Sequence, residues 1–378
     1  MPKRITEKGN GKYLLFVSLG YDQNGKQLYR SKTVTAKSIR DAEKKWSEFK
    51  VSLGKASGEV MKVHSFYEYY KENYENKKLA IGTIERNEYL FRRIDTALGH
   101  KSMDKVEPSD ILLFLDMLKR AGQSDSSIVK HYTLLHSLFA KAIQWQMITF
   151  NPCDHIDKPQ KVKVEKNILE IEDCKRFLKC VDKYAPLIYK VCTYLSISTG
   201  VRRGELFGLQ FKNIDTENNS LFIMQQALYS KEKGLYLKPS TKNYKNRHVS
   251  IPPSVTKLIL ERKEQIITQK NLLANHWEGA EDIEDVFLCC NDKGAMSYGF
   301  RYSQWLSSFL KDNGFKHITP HSFRHMAATY LITSGTDLRT VSGKLGHSNM
   351  STTMTEYAHL LNSAEKETAN TIETIISH

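Results

Sequence analysis

Thr199-Gly200-Val201-Arg202-Arg203-Gly204-Glu205-Leu206 sets a guanidinium and a carboxylate three residues apart, the spacing at which side chains on one helical face meet. At that distance Glu205 can orient Arg202 through charge-assisted hydrogen bonds. Alone, such a pair is an ordinary surface ion pair of small energetic weight. Its meaning depends on what stands elsewhere in the chain.

Three more stretches carry chemistry. Pro320-His321-Ser322-Phe323-Arg324-His325 puts His321 and Arg324 on one face at the start of a helix, with a proline suited to that start. Leu345-Gly346-His347-Ser348 follows a short helix that Gly346 is placed to cap, and ten residues past His347 comes Tyr357. Between the blocks, Pro239-Ser240-Thr241-Lys242-Asn243-Tyr244-Lys245-Asn246-Arg247-His248-Val249 reads as a basic hairpin loop entering a strand. Singly, each has a plain explanation: a capping histidine, a packing tyrosine among nineteen, solubility charge on a turn.

The ordered set is different. Arg202 within Thr-Gly-x-Arg-x-x-Glu-Leu, Lys242 five before Arg247, His321-x-x-Arg324, Gly346-His347 and Tyr357 together resemble the catalytic signature of the tyrosine recombinases, the phage integrase family. The resemblance covers roughly residues 170–360. It implies that Tyr357 attacks a DNA phosphodiester and that Arg202, Lys242, His321, Arg324 and His347 assist, with Glu205 in support.

Elementary chemistry agrees with those roles. The transition state of phosphodiester cleavage gathers negative charge, which two fixed guanidiniums, Arg202 and Arg324, can stabilise; His347 adds a hydrogen bond. Tyr357 must lose a proton of intrinsic pKa about 10, for which His321 is the expected acceptor or orienter. The departing 5′ oxygen needs a proton, and Lys242 is its expected donor, with Lys245 as rival. A 3′-phosphotyrosyl link keeps the bond energy, so no nucleotide cofactor is required. No Walker P-loop and no acidic cluster for a catalytic metal occurs in the sequence, so neither cofactor nor metal is expected.

Upstream, the chain reads as two more domains. Tyr13–Tyr21 and Gln27–Val34 are strands around an Asn24-Gly25 turn, a third strand near Arg4–Glu7 joins them, and a helix follows Ser38. Residues 64–150 carry four helical patterns and no strand; in the last, Ile128, Leu135, Leu138, Phe139, Ala142 and Ile143 mark one apolar face. The expected fold is multidomain α+β: a three-stranded sheet with one helix over 1–58, an all-helical domain over 63–155, a basic linker over 156–167, and a mixed, mainly helical domain with a small antiparallel sheet over 168–378. By resemblance these are an arm-type DNA-binding domain, a core-binding domain and a catalytic domain.

Charge fits a DNA partner. Lys plus Arg exceeds Asp plus Glu by fourteen, and the sequence pI is near 9.3. Residues 1–62 alone hold fourteen Lys/Arg against six Asp/Glu. The candidate DNA contacts are Lys3, Arg4, Lys12, Arg30 and Lys32 in that segment, with Lys245 and Arg247 beside the catalytic lysine. Six cysteines without CxxC spacing read as reduced, mostly buried thiols. No apolar run approaches the length of a membrane helix, which points to the cytoplasm, at the nucleoid.

The partners implied are duplex DNA at core-type and arm-type attachment sites, a homotetramer on two duplexes, and an excisionase or host DNA-bending protein. Ile372, Ile375 and Ile376 form an apolar stripe in the tail, which by resemblance docks on a neighbouring protomer. A chromosome-resolving recombinase of the Xer kind lacks a basic sheet domain ahead of the helical one. A non-catalytic architectural DNA-binding protein would need no such Arg-Lys-His-Arg-His-Tyr set.

Overall fold

A tight antiparallel pairing opens the chain: β1 (Ile5–Gly9) lies on β2 (Lys12–Tyr21), which lies on β3 (Gln27–Thr35). The computed structural model describes residues 4–21, 27–55, 60–161, 167–239, 246–346, 350–351, 353–355 and 357. The Asn24-Gly25 turn is thus outside the described residues, although β2 and β3 pair up to Tyr21 opposite Gln27. Strand alternation buries Tyr13, Leu15 and Val17 on one face, against Ala42 and Phe49 of α1 (Ile39–Lys55). Trp46 fixes that helix by donating its indole N–H to the carbonyl of Phe16 at 2.8 Å.

Two compact units divide the chain, Met1–Lys163 and Val164–His378. The first also contains a helical group with its own core: α2 (Val63–Tyr70), a π-helical turn at Lys71–Glu75, α3 (Asn76–Lys78), α4 (Ile81–Leu98), α5 (Pro108–Arg120) and α6 (Asp125–Gln144). Local rules set these ends. Pro108 stands at the first helical turn behind a Glu107/Asp110 capping box, and Ser124 caps α6 by accepting the Ser127 N–H. On α6, Ile128, Leu135, Leu138, Phe139 and Ala142 are all buried. The π turn was not anticipated; it carries Glu75 into the core, fully buried.

The second unit comprises α7 (Ile171–Tyr184), α8 (Leu187–Thr199), α9 (Arg203–Phe207), β4 (Ile214–Asp215), β5 (Ser220–Ile223), β6 (Gln225–Ser230), β7 (Gly234–Pro239), β8 (Arg247–Ser250), α10 (Pro253–Leu273), α11 (Phe300–Asp312), α12 (Pro320–Thr333) and α13 (Leu338–Leu345). Its strands make an antiparallel sheet in the order β4-β5-β8 and a separate β6-β7 hairpin. Apolar patterning near 220–228 does not separate β5 from β6, and β7 offers little strand signal, its four apolar and turn-forming residues Gly234-Leu235-Tyr236-Leu237 ending on Lys238-Pro239. Phe177 sits among Phe309, Phe315 and Phe323, joining α7, α11 and α12 in the core. Short α9 lies flush on β6, because a Cβ at Gly208 would meet the Gln226 Cα and Ala227 nitrogen at 3.0 Å.

All six cysteines are unpaired, five of them buried. Burial pushes Cys153 up to about 12, so its thiol is inert at neutral pH. No helix among the described residues is long and apolar enough to cross a membrane.

Candidate active site

Helix α8 stops at Gly200, whose left-handed φ of 64° turns the chain toward Arg202. A side chain there would displace α13's packing: a Cβ on Gly200 would lie 2.5 Å from Cδ2 of the buried Leu345. Arg202 is the N-cap of α9 rather than a residue within it, and Glu205 folds back to accept the Arg202 backbone N–H at 3.0 Å and its Nη1 at 3.0 Å. The expected pair forms. It is not a surface pair, since Glu205 is 1% exposed.

A second guanidinium reaches the same carboxylate. Arg247, at the start of β8, donates Nη2 to Glu205 Oε2 at 2.7 Å and Nη1 to Oε1 at 3.1 Å. Burial alone would raise the Glu205 pKa; the hydrogen bonds and charge of Arg247, then those of Arg202, outweigh it and hold the carboxyl below its ordinary range.

Arg324, on α12, is buried and donates Nη1 to the Gly200 carbonyl at 2.8 Å. Its Nη2 is buried with no hydrogen-bond partner among the described residues. Burial, then the charge of Arg202, push its pKa down to about 10, with Glu205 opposing and Arg247 adding to the fall; it remains a cation at neutral pH. Arg202, Arg247 and Arg324 thus gather around one buried carboxylate, which leaves two positive charges over. Such a surplus suits an incoming anion.

Tyr357 packs with Ala328, Ile332, Val341 and Leu345 between α12 and α13, and is 3% exposed. Its hydroxyl meets Nδ1 of His325 at 2.9 Å. His321, the expected proton acceptor, is exposed, and its ring stands edge-on to that of His325 with centroids 4.6 Å apart. Among the described residues, the imidazole shown in hydrogen-bond contact with the phenol is His325, one helical turn on. The signal was present, because His321 and His325 stand four apart on one face.

The other expected residues divide. Lys242, Lys245, His347 and Lys3 lie outside the described residues, as does the apolar stripe of the tail. Arg247 was expected to contact DNA; instead its side chain is 10% exposed and committed to Glu205 and to the Lys344 carbonyl. Strand alternation held the clue, since Arg247 shares a face with buried Val249. In the N-terminal sheet Arg4, Lys12, Arg30 and Lys32 are exposed but not equivalent. Arg4 pairs with Glu43 at 2.9 Å and stacks over Trp46; Arg30 and Lys32 pair with Val17 and Leu15 on the α1 side, and Lys12 points to the other face.

A sequence model of the phage integrase family matches residues 167–364, more than half of the chain. The chain belongs to the phage integrase family. It is a tyrosine-type site-specific DNA recombinase. An N-terminal SAM-like domain of phage integrases matches residues 62–118, within the helical group. Among this integrase's relatives, the ICEBs1 integrase of Bacillus subtilis (strain 168) is 25% identical, covering 97% of this chain and 98% of the relative. The transposase from transposon Tn916 of Enterococcus faecalis is 27% identical over 77% of this chain and 73% of its own. Solved structures share the fold. A fragment of the Tn1549 transposon integrase in complex with transposon right end DNA superposes with a TM-score of 0.70 at 24% identity, covering 82% of this chain and 99% of the fragment. A lambda integrase tetramer bound to a Holliday junction gives 0.57 at 16% identity, covering 92% and 96%.

Proposed function

We propose that this integrase cuts and rejoins DNA through a covalent 3′-phosphotyrosyl intermediate, to integrate and excise a mobile element of the conjugative-transposon kind. The Tyr357 oxygen attacks the phosphorus, a P–O bond to Tyr357 forms, and the P–O5′ bond breaks. His325 or His321 takes the phenolic proton, and Lys242 protonates the departing 5′ oxygen. Arg202, Arg324 and His347 hold the non-bridging oxygens, with Glu205 orienting Arg202. The same link is then attacked by another strand's 5′ hydroxyl, which restores the phosphodiester.

The observation that carries this reading is the surplus of two positive charges where Arg202, Arg247 and Arg324 surround Glu205, in the unit that also buries Tyr357. Residues 1–58 are assigned to arm-type sites and 63–155 to core-type sites, with 156–167 as linker and 168–378 as catalytic domain. The break between compact units at Lys163 falls inside that linker. A homotetramer on two duplexes is the assembly that reciprocal strand exchange requires, and an excisionase or a host DNA-bending protein is the accessory partner that would bias its direction.

The test uses an attachment-site duplex nicked just downstream of the scissile phosphate, so that the short fragment bearing the freed 5′ hydroxyl diffuses away, trapping a denaturant-resistant adduct. Tyr357→Phe is expected to form no adduct while binding DNA as the wild type does. An adduct in that variant would overturn the assignment.

A further inference from the structure

Arg247 joins three elements at once. From the start of β8 it grips Glu205 in α9 through both terminal nitrogens, and its Nε donates to the Lys344 carbonyl at 3.2 Å, at the C-terminal end of α13. The contact with α13 is close. Gly346, the left-handed cap of that helix at φ 69°, faces the guanidinium so nearly that a Cβ there would lie 2.7 Å from Nη1. Arg202 completes the ring by directing Nη2 at the Gly346 carbonyl, 3.4 Å away.

This arrangement decides where the charge of Arg202 goes. Glu205 is a buried carboxylate receiving four hydrogen bonds, two from Arg202 and two from Arg247. With Arg247 present, its negative charge is met by a fully committed, 10% exposed partner, while the Arg202 side chain remains 42% exposed. Without Arg247, Arg202 is the one cation among the described residues still hydrogen-bonded to Glu205, and a buried carboxylate takes the nearest cation. We propose that Arg247 is a positioning residue for the recombinase: it satisfies Glu205 so that the Arg202 charge is left for the scissile phosphate, and it fixes the end of α13 from which the chain enters His347. A lysine cannot substitute, because one ammonium does not supply two parallel N–H bonds to a carboxylate together with a third to a carbonyl.

The inference rests on the reading that Arg202 acts on the phosphate, and the experiment separates the two. Adduct formation is measured in single turnover on ordinary DNA and on DNA whose scissile phosphate is a methylphosphonate, in which a methyl group replaces one charged oxygen. Arg202→Ala, Arg247→Ala and Arg247→Lys are compared with wild type, alongside DNA affinity and thermal unfolding. On ordinary DNA Arg202→Ala is expected to cleave at least about a hundredfold more slowly, the loss on deleting a direct transition-state donor, and the two Arg247 variants at least about tenfold more slowly, a fraction of that loss. DNA affinity should stay within about threefold. On the methylphosphonate the deficits of all three should shrink together, because there is less charge to stabilise. A fold defect would persist on both substrates.

If Arg247→Ala does not fold, Arg247→Lys, which keeps the charge, decides the matter. Wild-type cleavage by Arg247→Lys, a deficit in the Arg247 variants equal on both substrates, or weakened DNA binding with normal cleavage at saturation would each overturn the proposal. Wild-type cleavage by Arg202→Ala would instead overturn the reading beneath it.

Discussion

The hydroxyl of Tyr357 and Nδ1 of His325 are 2.9 Å apart, both residues buried, in a pocket formed by α12 and α13. With Nδ1 unprotonated, the phenol donates its hydrogen bond to the imidazole, which is the geometry of a proton acceptor. His325→Ala should therefore slow adduct formation by about a hundredfold, in the ordinary range for losing a general base. DNA affinity should be unchanged. Single-turnover trapping measures it, and an intact rate in His325→Ala with a large loss in His321→Ala would return the role to His321.

Lys242 is assigned to the opposite end of the reaction. Lys242→Ala should cleave ordinary DNA far more slowly, yet recover most of its rate when the bridging 5′ oxygen is replaced by sulfur, because a thiolate departs without a proton. His325→Ala should gain nothing from sulfur. Equal impairment of Lys242→Ala on both substrates would make that lysine a phosphate ligand.

Glu75 gives a prediction about stability rather than chemistry. Its Oε1 accepts from Asn87 Nδ2 at 2.7 Å, while Oε2 is buried without a hydrogen-bond partner among the described residues. Burial raises its pKa, with Asn87 opposing. The folded pKa exceeds the unfolded one, so any stability this group contributes is complete below the ordinary carboxylate pKa and falls as pH rises through the folded value. Glu75→Gln should therefore be more stable than wild type at neutral pH, and the difference should close in acid below the ordinary carboxylate range. Hydrogen exchange of the α2 and α4 amides across pH would show it; a difference independent of pH would mean that Glu75 is not ionising.

Removal of residues 1–58 tests the division of labour. That segment has its own core of Tyr13, Leu15, Val17, Ala36, Ala42 and Phe49. The shortened integrase should lose arm-site binding while keeping measurable core-site cleavage, since every proposed catalytic residue lies beyond Asn167. Unchanged arm-site affinity would refute the assignment. In the full chain, Lys12 and Arg30 should matter more than Arg4, which is already paired with Glu43.

What the sequence determined by itself is local. The apolar face of α6, the Pro108 and Ser124 helix starts, the β2-β3 pairing and the Arg202–Glu205 contact all follow from spacings of a few residues, where backbone geometry fixes which side chains meet. The ordered set of Arg, Lys, His, Arg, His and Tyr also stood legible in the chain, because the order of chemistry-bearing residues needs no coordinates. The tertiary structure decided the partners. Arg247 meets Glu205 across 42 residues, and His325 meets Tyr357 across 32. No local period encodes such contacts; they exist because α9, β8, α12 and α13 pack around one core, and burial then obliges each charge and hydroxyl to find whichever group the packing brings within reach. The same rule turned Arg247 from an apparent surface cation into an inward one.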